Sequence, residues 1–180
     1  MKKKYFAVAF TFFALLIALQ ISYASDITLP KDTPVKVYFS PKGGCTDAIT
    51  GAINQAKTEI LVQAYSFTSA PIAKALVNAH KRGVKVLAIL DKSQRSERYT
   101  SATFLTNAGI PTYIDDKHAI AHNKIMIIDK AIVITGSFNF TKAAEEKNAE
   151  NLLIISSKEL AKLYMENWQK HREHSEEYRK

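Results

Sequence analysis

Past a short proline-containing lead-in, Val35 to Phe39 alternates apolar and polar side chains and is rich in β-formers, which predicts a strand ending at Pro41-Lys42-Gly43-Gly44. From Thr46 to Lys57 the apolar positions Ala48, Ile49, Ala52, Ile53 and Ala56 recur at helical spacing, and a compact apolar strand, Ile60 to Tyr65, follows. The unit repeats: a helix from about Ala70 to Arg82, stopped by Gly83, leads into the continuous apolar run Val84 to Leu90. Short runs apolar on both faces imply a sheet with helices covering both sides.

A polar loop from Asp91 to Thr100 precedes a short helix to about Ala108 and a strand near Thr112 to Ile114. Two further apolar runs, Ile125 to Ile128 and Ala131 to Thr135, are separated only by Asp129-Lys130, which predicts a tight hairpin in the centre of the sheet. Leu152 to Ile155 reads as the last strand. A helix from about Ser157 to His171 places Leu160, Leu163, Tyr164 and Trp168 on one face. The fold class expected is therefore α/β: a mixed β-sheet flanked by helices on both faces, in a single domain. A chain of 180 residues, 47% apolar, has material for one core and not comfortably for two.

The amino-terminal end changes the picture. Lys2, Lys3 and Lys4 precede an apolar run from Tyr5 to Leu19 that closes on Ser22-Tyr23-Ala24, the layout of a secretory signal cleaved after Ala24. The expectation is a signal peptide over 1–24, a domain over 25–180, and an exported protein, periplasmic or secreted, without stable membrane association after cleavage. An uncleaved anchor is the alternative, since about 20 apolar residues span a bilayer. The formal charge is +8, and without the signal lysines 22 basic residues still face 17 acidic ones. A basic surface favours polyanions such as nucleic acid or anionic headgroups. The lone Cys45 has no partner for an internal disulfide and reads as a buried small hydrophobe.

The candidate chemistry lies in His122-Asn123-Lys124, Asp129 and Gly136-Ser137-Phe138-Asn139. His122 and Lys124, two apart at the mouth of a strand, project to the same side of the sheet. A tight hairpin carries Ser137 and Asn139 back beside them. An imidazole, a fixed cation and uncharged donors form a set suited to a phosphodiester.

The run His122-Asn123-Lys124-Ile125-Met126-Ile127-Ile128-Asp129, followed six residues on by Gly136-Ser137-Phe138-Asn139, resembles the phospholipase D signature His-x-Lys-x4-Asp-x6-Gly-Ser-x-Asn at every defining position. Gln63-Ala64-Tyr65-Ser66-Phe67-Thr68 resembles the early strand of that superfamily, and Gly83-Val84-Lys85-Val86 the entry to its next. The segment Gly136 to Ala144 is similar to that of the small bacterial endonucleases of the superfamily, which carry one motif per chain.

That resemblance implies a metal-independent phosphodiesterase with no cofactor, acting through a phosphohistidine. One motif per chain implies a homodimer that pairs two copies of His122 in one site. One imidazole attacks phosphorus and the other protonates the leaving oxygen, so two protonation states are needed and a bell-shaped pH profile is expected. Lys124 and Asn139 would hold the non-bridging oxygens, Ser137 would lie near the phosphate, and Glu150 would orient the histidine. Asp129, at a turn between strands, reads more readily as structural. The acidic residues near the motif, Asp129 and Glu150, do not form the carboxylate cluster that hard cations require.

Among other residues, Lys92, Arg95, Arg98 and Tyr99 lie in a loop where they either grip a nucleic-acid backbone or are solvated. His80, His118, His171 and His174 have no partners at suggestive spacing and are expected at the surface, with His118 near enough in sequence to line the cleft. The run Lys170 to Lys180 mixes charge signs and is expected to be a frayed helix end. The function expected is a non-specific endonuclease on DNA, and on RNA as a further substrate. The alternatives are a phospholipase D or cardiolipin-type lipid hydrolase and a non-catalytic DNA-binding protein.

Overall fold

The computed structural model describes residues 25–179, so the signal segment expected over 1–24 lies outside the described residues. Eight strands form one sheet: β1 (Val35–Ser40), β2 (Glu59–Ala64), β3 (Lys85–Asp91), β4 (Thr112–Asp115), β5 (Lys124–Ile128), β6 (Ile132–Gly136), β7 (Glu150–Ser156) and β8 (Glu176–Glu177). Their spatial order is β1-β7-β6-β5-β2-β3-β4-β8. The β2-β3 and β3-β4 pairs are parallel, and every other pair is antiparallel. The helices are α1 (Cys45–Gln55), α2 (Ala70–Lys81), α3 (Ser101–Asn107), α4 (Lys142–Glu146) and α5 (Lys158–His174).

The central strands β2, β3 and β5 are buried on both faces because helices cover both. Against one face, Ile49 and Ile53 of α1, Ile72 and Leu76 of α2 and Leu105 of α3 pack with Ile60, Val62, Met126 and Ile134. Against the other, Ala161 and Trp168 of α5 pack with Leu61, Ile89, Ile127 and Val133. The Trp168 indole N–H donates to the Val62 carbonyl at 2.9 Å, so the largest side chain on α5 is both buried and satisfied. Cys45 is fully buried and unpaired, and burial, with Glu145 nearby, pushes its thiol pKa up.

The hairpin between β5 and β6 turns as expected at Asp129-Lys130. Both residues have positive φ, 51° and 56°, and the Ala131 N–H closes onto the Ile128 carbonyl at 3.0 Å. Positive φ at both central positions matches a primed turn, whose twist suits the flanking strands.

One expectation is corrected. The carboxyl-terminal run is not a frayed end: α5 continues to His174, β8 pairs with β4, and Tyr178 is buried. The Tyr178 N–H donates to the Thr112 carbonyl and its hydroxyl meets Thr103 Oγ1, contacts that outweigh the segment's polar composition. The short helix α4 and strand β8 also lie outside the pattern-based expectation, since five and two residues are too few to show a period.

Candidate active site

Strand β5 opens with Lys124 at the end of the sheet where β2 finishes, and Lys124 pairs with Ala64 in the antiparallel register. The next residue of that chain, Tyr65, donates its N–H to the Asn123 carbonyl at 2.8 Å. The Tyr65 ring therefore packs on the His122 imidazole, with centroids 4.5 Å apart and planes at 51°. Lys124 is buried, its Nζ lying 5.0 Å from the Tyr65 ring centroid and donating to the His122 carbonyl at 2.8 Å. Burial lowers the Lys124 pKa, and the nearby charge of Glu150 opposes that shift. The exposed imidazole of His122 thus stands over an aromatic floor beside a partly desolvated ammonium.

The second wall comes from the end of β6. Gly136 has φ 144°, and a Cβ there would meet the Asn151 carbonyl oxygen at 2.3 Å, so the close approach of β7 requires glycine. Beyond it, Phe138 and Phe140 are fully buried, with Phe140 edge-on to Phe67 at 5.7 Å. Alternation then turns Ser137 and Asn139 away from that core. Ser137 Oγ accepts from the Asn151 N–H at 3.0 Å and from its amide at 3.3 Å. Asn139 Oδ1 and Gln63 Oε1 are buried without a hydrogen-bond partner, while Gln63 Nε2 donates to Asn123 at 3.1 Å. Buried polar atoms without partners are costly and mark places where another molecule supplies the bond.

Glu150 begins β7 and accepts from Asn148 Nδ2 at 3.2 Å; within the protomer no hydrogen bond joins it to the His122 ring. Its closest functional tie is electrostatic, to Lys124. Asp129 is not brought to this site. It lies at the opposite end of β5, where its carboxylate accepts from the N–H groups of Lys57, Thr58 and Glu59 and from the Thr58 hydroxyl. Its place in the motif is that of a clamp between the hairpin and the start of β2. Tyr65, Gln63 and Asn123 join the site without having been singled out for it, because an aromatic or amide at a strand end carries no distinguishing spacing.

The loop basics divide. Lys92 donates to the His118 carbonyl at 3.1 Å and so braces the loop before His122, while Arg95 binds Glu176 at 2.7 Å and braces the carboxyl-terminal segment. Arg98 and Tyr99 are exposed.

A second polar cluster overturns the reading of three histidines as unpartnered. Asp115, at the end of β4 and fully buried, accepts from His171 Nδ1 at 2.6 Å and meets His118 Nδ1 at 3.1 Å and His174 Nε2 at 3.3 Å. Burial alone would raise the Asp115 carboxyl, but the imidazoles of His171, His118 and His174 overcome it and hold the pKa at about 2. The signal was present as Asp115-x-x-His118 and His171-x-x-His174, two short pairs separated by a span that only the fold closes.

Residues 49–172 match the family described as "Cardiolipin synthase, PLD-like domain". A phospholipase D of Rickettsia conorii is 46% identical over 153 residues, covering 85% of this chain and 76% of that protein. The mitochondrial cardiolipin hydrolase of Mus musculus is 31% identical over 119 residues, covering 66% of this chain and 54% of that protein. Among solved structures, the phospholipase D family member Nuc of Salmonella typhimurium superposes with a TM-score of 0.79 at 41% identity, covering 83% of this chain and all of that one. The chain belongs to the phospholipase D superfamily of phosphodiesterases.

Proposed function

We propose that this protein is an endonuclease that hydrolyses DNA without sequence preference, through a phosphohistidine formed at a site shared by two identical subunits. The observation that carries the chemistry is the pairing of an exposed imidazole, His122, with the buried ammonium of Lys124 over Tyr65. A ring nitrogen of His122 attacks phosphorus as the P–O bond to the leaving group breaks. The leaving oxygen takes a proton from His122 of the partner subunit. Water then attacks the phosphohistidine, gives its proton to that second imidazole, and releases the phosphate monoester.

Lys124 and the Asn139 amide are suited to the non-bridging oxygens, where charge builds in the transition state. Ser137, already bonded to Asn151, holds the neighbouring turn in place. Glu150 keeps Lys124 charged against the cost of its burial.

Pairing of subunits is supported by the edge strand β1, which exposes Val35, Val37 and Phe39 on one face, at 46%, 52% and 67%. These three are next-but-one neighbours, so they form an apolar row running toward the end of the sheet that carries Glu150, which pairs with Ser40. An isologous contact along this row would set two copies of the site face to face.

Nucleic acid is favoured by the basic balance of the chain and by its likeness to Nuc over 83% of its length. A lipid phosphodiester is the second reading. It is favoured by relatives named for phospholipase D and cardiolipin hydrolase, and by Ile120, 57% exposed two residues before His122.

The test is incubation of purified protein with supercoiled plasmid in excess chelator, beside His122→Ala and a parallel assay on anionic phospholipid vesicles. Nicking of the plasmid that His122→Ala abolishes, with intact lipid, is the expected result. Lipid turnover with intact plasmid would replace the substrate, and silence on both would overturn the enzymatic reading.

A further inference from the structure

The Asp115 cluster lies outside the phosphodiester chemistry, and its geometry is that of a ligand set. His171 and His174 are three apart on the last turn of α5, so both rings face the same way. Asp115 and His118 have the same spacing across the end of β4. The four ligand atoms, one from each residue, all lie within 4.8 Å of one another. A tetrahedral ion with bonds of about 2.0–2.1 Å needs its donors roughly 3.3 Å apart, so a contraction of at most about 1.5 Å in the widest pair closes the set.

An independent observation points to a ligand here. His174 Nε2 is buried and without a hydrogen-bond partner; it approaches Asp115 Oδ1 at 3.3 Å but not in hydrogen-bonding alignment. Its ring is 23% exposed and packs within 5.2 Å of the His118 ring and 5.4 Å of the His171 ring. Three imidazoles crowded on one carboxylate leave more nitrogens than the carboxylate aligns with. A cation receiving one lone pair from each ring satisfies all of them.

We propose that Asp115, His118, His171 and His174 bind one divalent ion of the zinc class, a structural site that staples the end of α5 to the loop leading into His122. Three imidazoles and one carboxylate suit zinc, cobalt or nickel rather than calcium or magnesium, which prefer oxygen. Four protein ligands complete a tetrahedral shell, so the ion serves structure and leaves no position for a reacting water. The end of a helix also favours positive charge.

Position gives the site its consequence. His118 stands four residues before His122, and β8, directly after His174, pairs with β4 at Tyr113 and Ile114. The same loop is held independently by Asp91, which accepts the Ala121 N–H at 2.7 Å, and by Lys92 on the His118 carbonyl. The metal therefore adds stability to a loop that already has its shape, and phosphodiester cleavage continues in chelator below the melting temperature of the stripped protein.

The experiment is a titration of chelator-stripped, dialysed protein with zinc chloride, followed by calorimetry and thermal melting, with cobalt chloride as an optical probe. Expected are one zinc per chain, a rise in Tm of roughly 5–10 °C at a hundredfold excess over Kd, and an intense visible cobalt band of tetrahedral coordination. Magnesium and calcium should produce none of these. His174→Ala and His118→Ala should each weaken zinc binding about tenfold or more, with circular dichroism checking that each is folded. His122→Ala should bind zinc as the parent does, which separates this site from the catalytic reading. Absence of stoichiometric zinc binding by the parent protein, or unchanged affinity in both folded cluster variants, would overturn the proposal.

Discussion

The Asp91 carboxylate accepts the backbone N–H of Ala121 at 2.7 Å, fixing the chain one residue before His122. Asp91 is 2% exposed and its other oxygen accepts from Ser93 N–H at 2.9 Å, so both oxygens are committed to main chain. Removing it strands two donors and frees the loop from β3. Asp91→Ala should cost about 1–3 kcal/mol of stability and lower turnover even at temperatures where the protein is fully folded. Asn in its place retains one acceptor oxygen and should recover part of both. Thermal melts paired with cleavage rates at 25 °C read the two effects separately; a stability loss with unchanged turnover would show that the Ala121 bond does not position His122.

Lys124 is held between two opposing influences, burial that lowers its pKa and Glu150 that raises it. Glu150→Gln removes the raising influence, so the ammonium should lose its proton at lower pH than in the parent. If charged Lys124 is needed for cleavage, the alkaline limb of the kcat/KM profile moves down in pH, while the acidic limb stays. Lys124→Met should lower kcat by about a hundredfold to a thousandfold across the whole profile, as expected for loss of a preorganised group on a developing charge. An alkaline limb unmoved by Glu150→Gln would detach it from the Lys124 ammonium.

Val37 lies at the middle of the exposed apolar row on β1, between Val35 and Phe39. Val37→Asp places a charge on that row without touching the buried core, so the protomer should keep its Tm within a degree or two. A shared active site then demands that dimer and activity fall together. Sedimentation velocity should show a shift to monomer, and plasmid nicking should fall at least about tenfold. Full activity in a monomeric variant would dissolve the shared-site reading.

Much of this architecture was legible from the chain alone, for identifiable reasons. The runs around Ile60, Val86, Met126 and Val133 are long enough to declare a period or a continuous apolar stretch, and Asp129-Lys130 between two of them is a turn signal. The motif placed His122, Lys124, Ser137 and Asn139, because β5 and β6 bring nearby residues together through one tight hairpin. Contacts set by distant pairing were not legible. Tyr65 reaches His122 only through the β2-β5 register, and Asp115 meets His171 across 56 residues. The polar composition of the carboxyl-terminal segment hid the one buried ring, Tyr178, that ties it down. Asp129, part of the motif, acts at the far end of its strand, as its turn position between two strands indicated, but its partners Lys57, Thr58 and Glu59 lie some seventy residues away and were not legible.

That clamp yields a prediction in which stability and catalysis part company. Burial would raise the Asp129 carboxyl, but N–H groups of Thr58, Glu59 and Lys57 and the Thr58 hydroxyl more than offset it, leaving the pKa below the ordinary value. A depressed folded-state pKa means the unfolded chain takes up the proton first. The contribution is therefore complete above the unfolded carboxylate value of about 3.9 and is lost as pH falls through the lower folded value. Asp129→Asn should lower stability at pH 7 by about 1–2 kcal/mol and flatten the fall of Tm between pH 5 and pH 2. Turnover at pH 7 should stay within about twofold of the parent, because the side chain is a full strand length from His122. A large loss of kcat in folded Asp129→Asn would return this carboxylate to the catalytic machinery, and an unchanged acid limb of Tm would deny it the clamp.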